Sequence, residues 1–264
     1  MFNNQYIMES PLENKRLADK VHPKEFIHHY LSEIITPYAK ILDVGCGPAN
    51  ISFELSRLFP TTMVTGLDIS TNRLLEINQN KNAQNLMFVS GNLYSLPFSD
   101  NTYDLVYSRL LFEYLKYPLD ALSEIKRICK VGGTVLVQDI DGQFLLHYPE
   151  NIQLMSQINT IFEALNKYSG FDPYIGRKLY HLFYKSGFQN IQVQLAPYHL
   201  IAGKVNSTLY KYWKQKLSTV YPHLRKCINH NEIDIKEVIS SFLDYLKKNE
   251  TLTFSNVFTV YGIK

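Results

Sequence analysis

Residues 41–50, with the sequence ILDVGCGPAN, are the part of the chain best suited to binding a ligand. A short apolar run ends at Gly45-Cys46-Gly47, and a helical pattern follows it. Glycines between a strand and a helix let the backbone turn sharply and let a ligand approach closely. The GxGxxG pattern of dinucleotide sites is incomplete, because Asn50 stands at its third glycine and Pro48 has no N–H to donate. The turn therefore predicts a site for a ligand without phosphate groups, or else a tight turn that only packs strand on helix.

Two polar side chains follow the next two predicted strands. Asp68 lies 68 − 47 = 21 positions beyond Gly47, and a carboxylate at about this distance can accept both hydroxyls of a ribose. Asn92 follows the third strand, where its carboxamide could accept from the exocyclic amine of an adenine and donate to a ring nitrogen. Alone, Asp68 would more often cap a helix and Asn92 would more often shape a turn. Together with the glycine turn, they predict a nucleoside-binding site.

A sheet is expected to bring these residues together at one edge. Apolar runs predict strands at 41–44, 63–67, 86–90, 103–108 and 134–138. Helical periodicity predicts helices before and between them at 23–35, 51–58, 71–80 and 119–129. Such alternation favours an α/β fold whose parallel sheet carries helices on both faces. After Asp139 the pattern predicts helices at 152–168, 174–186, 209–220 and 233–246, and strands at 191–195 and 254–263.

The composition excludes several classes of protein. Of the 264 residues, 45% are hydrophobic and 19% charged, which suits a globular chain and excludes disordered, collagen-like and coiled-coil proteins. No apolar run approaches the roughly 20 residues of a membrane helix, and the start MFNNQYIMES does not look like a signal peptide. Three widely separated cysteines fit a reducing cytosol, and a net charge of +3 does not indicate nucleic acid. We therefore expect a cytoplasmic protein.

Four segments taken in order give the chain a family resemblance. DVGCGPA, GLDIS, GNLYSLPFSDNTYDLVYSR and EIKRICKVGGTVLVQDID together resemble the class I S-adenosylmethionine-dependent methyltransferases, over residues 41–141. A weaker likeness to a small-molecule subgroup rests on residues 13–17, 139–141 and 170–177. The resemblance implies a Rossmann-like, doubly wound sheet of seven strands with an antiparallel last strand. It also implies S-adenosyl-L-methionine as cofactor and S-adenosyl-L-homocysteine as product.

The resemblance also assigns roles by position. Gly45 and Gly47 would face the methionine part of the cofactor, and Asp43 would orient the loop through backbone hydrogen bonds. Asp68 would bind the ribose and Asn92, in place of the usual Asp, the adenine. The full set of implied cofactor contacts is Asp43, Gly45, Cys46, Gly47, Asp68, Ile69, Gly91, Asn92, Leu93, Ser108 and Arg109, of which Ser108 and Arg109 would lie beneath the sulfonium.

Catalytic residues are not assigned by the sequence. Methyl transfer needs alignment more than an acid or base, and five candidates on the open side have no distinctive spacing and are more often structural: Glu113, Tyr114, Asp141, His147 and Tyr148. Tyr114 stands where many members of the family have His. No Asn/Asp-Pro-Pro-Tyr motif follows Ser108, no basic run alternates with aromatics, and no His or Asp has metal-ligand spacing. We therefore expect no metal and no nucleic-acid substrate.

The expected organisation is one domain over residues 1–264. Its cofactor-binding core is 38–140, and helical cap segments are expected at 1–36, 141–186 and 203–252. Four aromatic residues of the cap could line an apolar substrate pocket, bind a cationic amine or simply pack the cap: Tyr198, Tyr210, Tyr212 and Trp213. The expected activity is methyl transfer to an O or N atom of a small molecule, with no membrane partner. The alternatives are a non-methylating enzyme such as a cyclase, a non-catalytic partner subunit, and a methyltransferase acting on a protein.

Overall fold

The strands of the molecule form one twisted sheet. The computed structural model describes residues 21–79, 83–228 and 233–264. Seven strands lie in the order β3-β2-β1-β4-β5-β7-β6. They are β1 Lys40–Val44, β2 Met63–Asp68, β3 Leu86–Ser90, β4 Tyr103–Arg109, β5 Cys129–Tyr148, β6 Gln189–Ala202 and β7 Leu252–Ile263. The first five pair in parallel, whereas β7 is antiparallel to both β5 and β6, which confirms the predicted seven-stranded fold.

Helices cover both faces of the sheet. They are α1 Pro23–Phe26, continued by a π-helical turn at Ile27–Leu31, α2 Asn50–Leu58, α3 Thr71–Gln79, α4 Pro118–Ile128, α5 Ile152–Ser169, α6 Leu179–Lys185, α7 Ser207–Cys227 and α8 Ile235–Tyr245. Short 3₁₀ turns occur at Phe112–Tyr114 and Gly176–Lys178. Among the described residues, no helix has both the length and the apolar character of a membrane-spanning segment.

The apolar run at the start of the glycine segment is buried because β1 is a central strand. Ile41 packs with Phe26 and Leu55 on the face covered by α1 and α2. Leu42 and Val44 share the opposite core with side chains from α4 and α6. Burial on both faces explains why this strand is continuously apolar rather than alternating. Its carboxyl end is the point where the chain turns into α2.

Three strands are longer than the sequence predicts. β5 continues to Tyr148 and β6 to Ala202, because both pair with β7 as far as Leu252. Backbone pairing with β7 extends each strand beyond its apolar part, where the side chains show no periodic pattern that would predict a strand. Cys129 begins β5 opposite Tyr103 instead of ending the preceding helix, so that boundary was wrong.

The helix expected at 174–186 is also shorter. A 3₁₀ turn takes up Gly176–Lys178, and α6 begins at Leu179. Gly176 lies directly against β5, since a Cβ there would be 2.9 Å from the carbonyl oxygen of Ile140 and 3.0 Å from that of Asp139. This close approach fixes the chain to the sheet before the α-helix can start.

A second hydrophobic core lies beyond the sheet proper. It contains side chains of α5, α7 and α8, which we call the three-helix cluster, together with Ile201 of β6. Trp213, Leu224 and Phe242 are among its most buried members. By contrast, α6 packs with α4 in the core of the sheet, although it falls within the cap segment expected at 141–186. Residues 1–20 of the first expected cap segment, and Asn80 at the end of the third expected helix, lie outside the described residues.

Candidate functional site

The glycine turn folds onto the end of β2. The N–H groups of Gly45 and Cys46 donate to the carbonyl oxygen of Leu67 at 2.7 and 2.9 Å. The N–H of Gly47 donates to Oδ2 of Asp68 at 2.9 Å. The structure thus brings together the glycine turn and the carboxylate that the sequence predicts to act jointly.

The two glycines of the turn have different surroundings. Both have positive φ, +74° at Gly45 and +54° at Gly47, which favours glycine. A Cβ on Gly45 would lie 2.8 Å from Cδ2 of Leu111, so this position is closed by packing. A Cβ on Gly47 would have no heavy atom within 4 Å. The turn is therefore open to a ligand at Gly47.

Asp68 is held by three donors and is almost fully buried. Besides Gly47, the N–H of Ser70 donates to its Oδ1 at 2.9 Å, and Nη1 of Arg73 does so at 3.0 Å. The Arg73 side chain is itself buried, with 6% exposed. Arg73 is not among the residues predicted from the sequence. The available signal was that α3 begins three residues after Asp68, so its first turn returns residue 73 to that carboxylate.

Asp43 anchors α2 rather than the backbone of the glycine turn. Its Oδ2 accepts a hydrogen bond of 2.6 Å from the hydroxyl of Ser52. Burial raises the pKa of Asp43 to about 6, against the lowering effect of the Ser52 and Tyr107 hydroxyls. The charge of Asp68 raises the pKa further, and that of Arg109 lowers it. The expected orientation of the turn by Asp43 is therefore indirect, through the first turn of α2.

The residues after β3 form a tight turn beside Asp68. The N–H of Gly91 donates to the carbonyl oxygen of Asp68 at 3.1 Å. The carboxamide oxygen of Asn92 accepts from the N–H of Tyr94 at 3.0 Å, so this oxygen, expected to meet an exocyclic amine, is engaged within the turn. Leu93 is buried, and Ile69 is 44% exposed.

Ser108 and Arg109 end β4. Ser108 lies beside Val44 of β1, and its buried hydroxyl has no hydrogen-bond partner within the described part of the chain. Arg109 donates from Nε to Oε1 of Gln138 at 3.0 Å, and Nε2 of Gln138 donates to Oγ1 of Thr259 at 2.7 Å. These two hydrogen bonds link side chains of β4, β5 and β7.

A cavity of about 420 Å³ opens next to Arg109. The sheet, α1 and α7 enclose it, and its polar lining includes Arg109, Gln138, Tyr198, His199 and Tyr212. Gln138 and His199 are buried, and Nδ1 of His199 lies 2.7 Å from the hydroxyl oxygen of Ser255. Tyr198 and Tyr212 thus line a pocket, which is one of the three expectations for the cap aromatics.

The other cap aromatics have packing roles. Trp213 is buried in the three-helix cluster, 5.3 Å from Phe242 between ring centroids. Lys247 places its ammonium 5.1 Å from the ring centroid of Tyr210.

None of the five candidate acids, bases or hydroxyls lines this cavity. Asp141 accepts two hydrogen bonds of 2.7 Å from Arg177, and His147 contacts Oγ1 of Thr253 at 3.0 Å. Tyr114 packs on Phe171, and Tyr148 is exposed.

Glu113 is buried beside a second carboxylate. Its N–H donates to Oδ2 of Asp139 at 3.2 Å. Burial first, and the neighbouring Glu113 charge second, raise the pKa of Asp139 well above its usual range. The described residues contain no group of three His, Cys, Asp or Glu able to hold a metal ion.

Comparison with known proteins identifies the core. Residues 42–137 match the family model described as a methyltransferase domain. An uncharacterized methyltransferase of Schizosaccharomyces pombe is 30% identical over 154 residues, 53% of this chain and 55% of the relative. Demethylmenaquinone methyltransferase of Staphylococcus aureus is 39% identical over 100 residues, 37% of this chain and 41% of the relative. The matched part of the chain thus spans about half of the length of these curated relatives.

Solved structures agree on the fold. The cyclase SpnF superposes with a TM-score of 0.60 at 14% identity, covering 98% of this chain and 93% of that one. A phosphoethanolamine N-methyltransferase of Haemonchus contortus has a TM-score of 0.55 at 18% identity, covering 95% of this chain and 52% of that one. The sheet therefore has the class I S-adenosylmethionine-dependent methyltransferase fold. Within it, residues 42–137 match the methyltransferase-domain family.

Proposed function

We propose that the protein catalyses methyl transfer from S-adenosyl-L-methionine to an O or N atom of a small molecule. The observation that carries this proposal is the hydrogen bond from Gly47 to Asp68, within the matched residues 42–137. It places the open side of a glycine turn next to a fixed carboxylate, where a nucleoside attached to a flexible chain would fit.

The residues at this edge of the sheet suit that cofactor. Gly47 leaves space where a Cβ would stand, Asp68 can accept from ribose hydroxyls, and Ser108 has a buried hydroxyl without a described partner. The remaining proposed contacts are Asp43, Gly45, Cys46, Ile69, Gly91, Asn92, Leu93 and Arg109. When bound, the sulfonium of this cofactor would supply an electrophilic methyl group to the acceptor atom.

The contribution of the chain itself is positioning. Holding an acceptor lone pair in line with the methyl carbon can supply roughly 7–11 kcal/mol of the barrier. The cavity beside Arg109 is the proposed acceptor site, because Arg109 directly follows Ser108, the proposed contact beneath the sulfonium. None of the five candidates named from the sequence lines the cavity, so none of them is proposed as a general base.

We further propose a cytoplasmic enzyme that acts without a nucleic-acid or membrane partner. The small net charge and the separated cysteines support this. We also retain the division into a core at 38–140 and cap segments at 1–36, 141–186 and 203–252. The shared core of α5, α7 and α8 supports the last two segments, apart from α6.

Calorimetric titration with S-adenosyl-L-homocysteine and S-adenosyl-L-methionine tests the proposal. A Gly47→Ala variant would place a methyl group in the open side of the turn, and we expect its affinity for both to fall about tenfold or more. Gly132→Ala is the matched control, because Gly132 also has positive φ and open space but lies at the start of β5. Equal affinities in the two variants, or no binding by the wild type, would refute the cofactor site.

Product analysis separates methyl transfer from the alternatives. A methyltransferase releases S-adenosyl-L-homocysteine in step with a methylated acceptor, whereas a cyclase would leave the cofactor intact. The cyclase alternative is retained because SpnF shares the fold. A non-catalytic partner subunit would bind neither compound.

A further inference from the structure

We propose that the cavity beside Arg109 binds an acceptor with an aromatic body and an anionic group, a carboxylate or a phosphate, and that Arg109 holds the anion. This deepens the proposed function and rests on it. The same cavity would then set which small molecules are methylated.

The Arg109 guanidinium is only partly engaged by the described residues. Its Nε is used by Gln138, and the ring centroid of Phe26 lies 5.5 Å from Cζ. Among the described residues, no carboxylate forms an ion pair with Arg109, and none accepts a hydrogen bond from its terminal Nη groups. A half-buried cation without a paired anion is costly, so an anion that enters the cavity would be stabilised.

The geometry of the guanidinium adds to this. Its fork can donate two parallel hydrogen bonds to a carboxylate or a phosphate. Gln138 holds the Nε of the guanidinium, and Thr259 in turn holds Gln138, so two hydrogen bonds tie the group to three strands of the sheet. The anion site is therefore preorganised by the sheet rather than by a loop.

The lining of the cavity also contains several aromatic side chains. Tyr30, Tyr198 and Tyr212 face the cavity together with Phe26, which provides aromatic walls for a ring. Ligand pockets commonly measure about 300–1,000 Å³, and this one of about 420 Å³ accommodates a single-ring compound. Glu25, the carboxylate of this lining, is exposed at the rim, where water screens its charge.

Arg109 also lies close to the glycine turn. It follows Ser108 at the end of β4, and Ser108 is paired with Val44 at the end of β1, directly before Gly45. An anion on Arg109 would thus lie beside the proposed cofactor site. It would also offset the repulsion between Arg109 and a sulfonium placed above β4.

Binding of two anionic probes and one uncharged probe tests this inference. We would titrate 4-hydroxybenzoate, phenyl phosphate and the uncharged 4-hydroxybenzamide by NMR into protein saturated with S-adenosyl-L-homocysteine. We expect the wild type to bind at least one anion about tenfold or more tightly than the amide. Arg109→Gln should remove this preference and leave the amide affinity within about twofold. Arg57→Gln, which changes an arginine exposed on α2, should behave as the wild type.

Three results would overturn the inference. They are equal affinities for the anions and the amide, an anion preference that survives Arg109→Gln, and no anion binding up to the solubility limit. Binding of S-adenosyl-L-homocysteine is measured separately for each protein. If the wild type fails to bind S-adenosyl-L-homocysteine, the proposed function fails, and the same titrations are made on the protein alone. An anion preference that is lost in Arg109→Gln would then still support the anion subsite. If Arg109→Gln weakens S-adenosyl-L-homocysteine but not the anions, Arg109 belongs to the cofactor site.

Discussion

At the scale of single residues, the ribose contact proposed for Asp68 competes with the hydrogen bonds that hold its carboxylate. Asp68 accepts from Gly47, Ser70 and Arg73, and these donors fix its orientation. A ribose would have to share these oxygens or displace Arg73. Because both members of the ion pair are buried, Asp68 depends on Arg73 for compensation of its charge.

Removal of Arg73 should therefore destabilise the protein. We expect Arg73→Met to lower the free energy of unfolding by about 3–5 kcal/mol, because it leaves Asp68 as a buried charge without its cation. Urea unfolding followed by circular dichroism measures this. The double variant Asp68→Asn/Arg73→Met should recover part of the loss. If the single variant lost less than about 1 kcal/mol, the pair would have no structural importance.

Asp43 makes stability depend on pH in a defined direction. Its folded pKa of about 6 lies above the ordinary value of 3.8, so the folded state binds the proton more tightly than the unfolded state. The resulting cost is fully present above about pH 6 and disappears as the pH falls towards 3.8. Asp43→Asn should remove it, so the stability of the variant relative to the wild type should decline between about pH 7 and pH 4.5. A difference that does not change with pH would contradict this assignment.

At the scale of elements, the parallel core could be predicted and the extended strands could not. The strands β1 to β4 are apolar runs between turn residues, and their predicted bounds agree with the structure to within one residue. The extra length of β5, β6 and β7 comes from mutual pairing, which no local pattern reports. The candidate site, too, could be predicted only in part. Gly47 and Asp68 were predicted from spacing, whereas Gln138 and Thr259 meet across 121 positions through the register of β5 on β7.

The contact of Gly176 with β5 can be tested through stability. Gly176→Ala would place a methyl group within 3.0 Å of two carbonyl oxygens of β5 and of the Phe258 ring, which cannot all move. We expect a loss of about 1–3 kcal/mol, read as a lower Tm. Gly132→Ala, with open space around its Cβ, should lose only the backbone strain of about 1 kcal/mol. Equal losses in both variants would show that the approach to β5 is not tight.

At the scale of the whole molecule, the cavity lies between two hydrophobic cores. The sheet contributes Arg109 and Gln138, the start of the described chain contributes α1, and the three-helix cluster contributes Leu209 and Tyr212 of α7. The core of α1 and the sheet is shared, whereas the three-helix cluster has a core of its own. A ligand in the cavity would therefore contact all three at once and would link the three-helix cluster to the sheet.

This arrangement predicts that the three-helix cluster becomes more ordered when the site is filled. Hydrogen exchange of backbone amides in 207–213 and 22–30 should slow in the presence of S-adenosyl-L-homocysteine and 4-hydroxybenzoate together, because a bridging ligand adds its binding energy to the cost of opening either helix. Amides of α6 are the internal control and should exchange at an unchanged rate, since this helix contributes no residue to the cavity lining or to the proposed cofactor contacts. In Arg109→Gln the protection that 4-hydroxybenzoate adds to that of S-adenosyl-L-homocysteine alone should disappear. Equal exchange of 207–213 with and without both ligands would mean that the cavity is rigid before binding, and that the cluster acts as a fixed wall rather than as a lid.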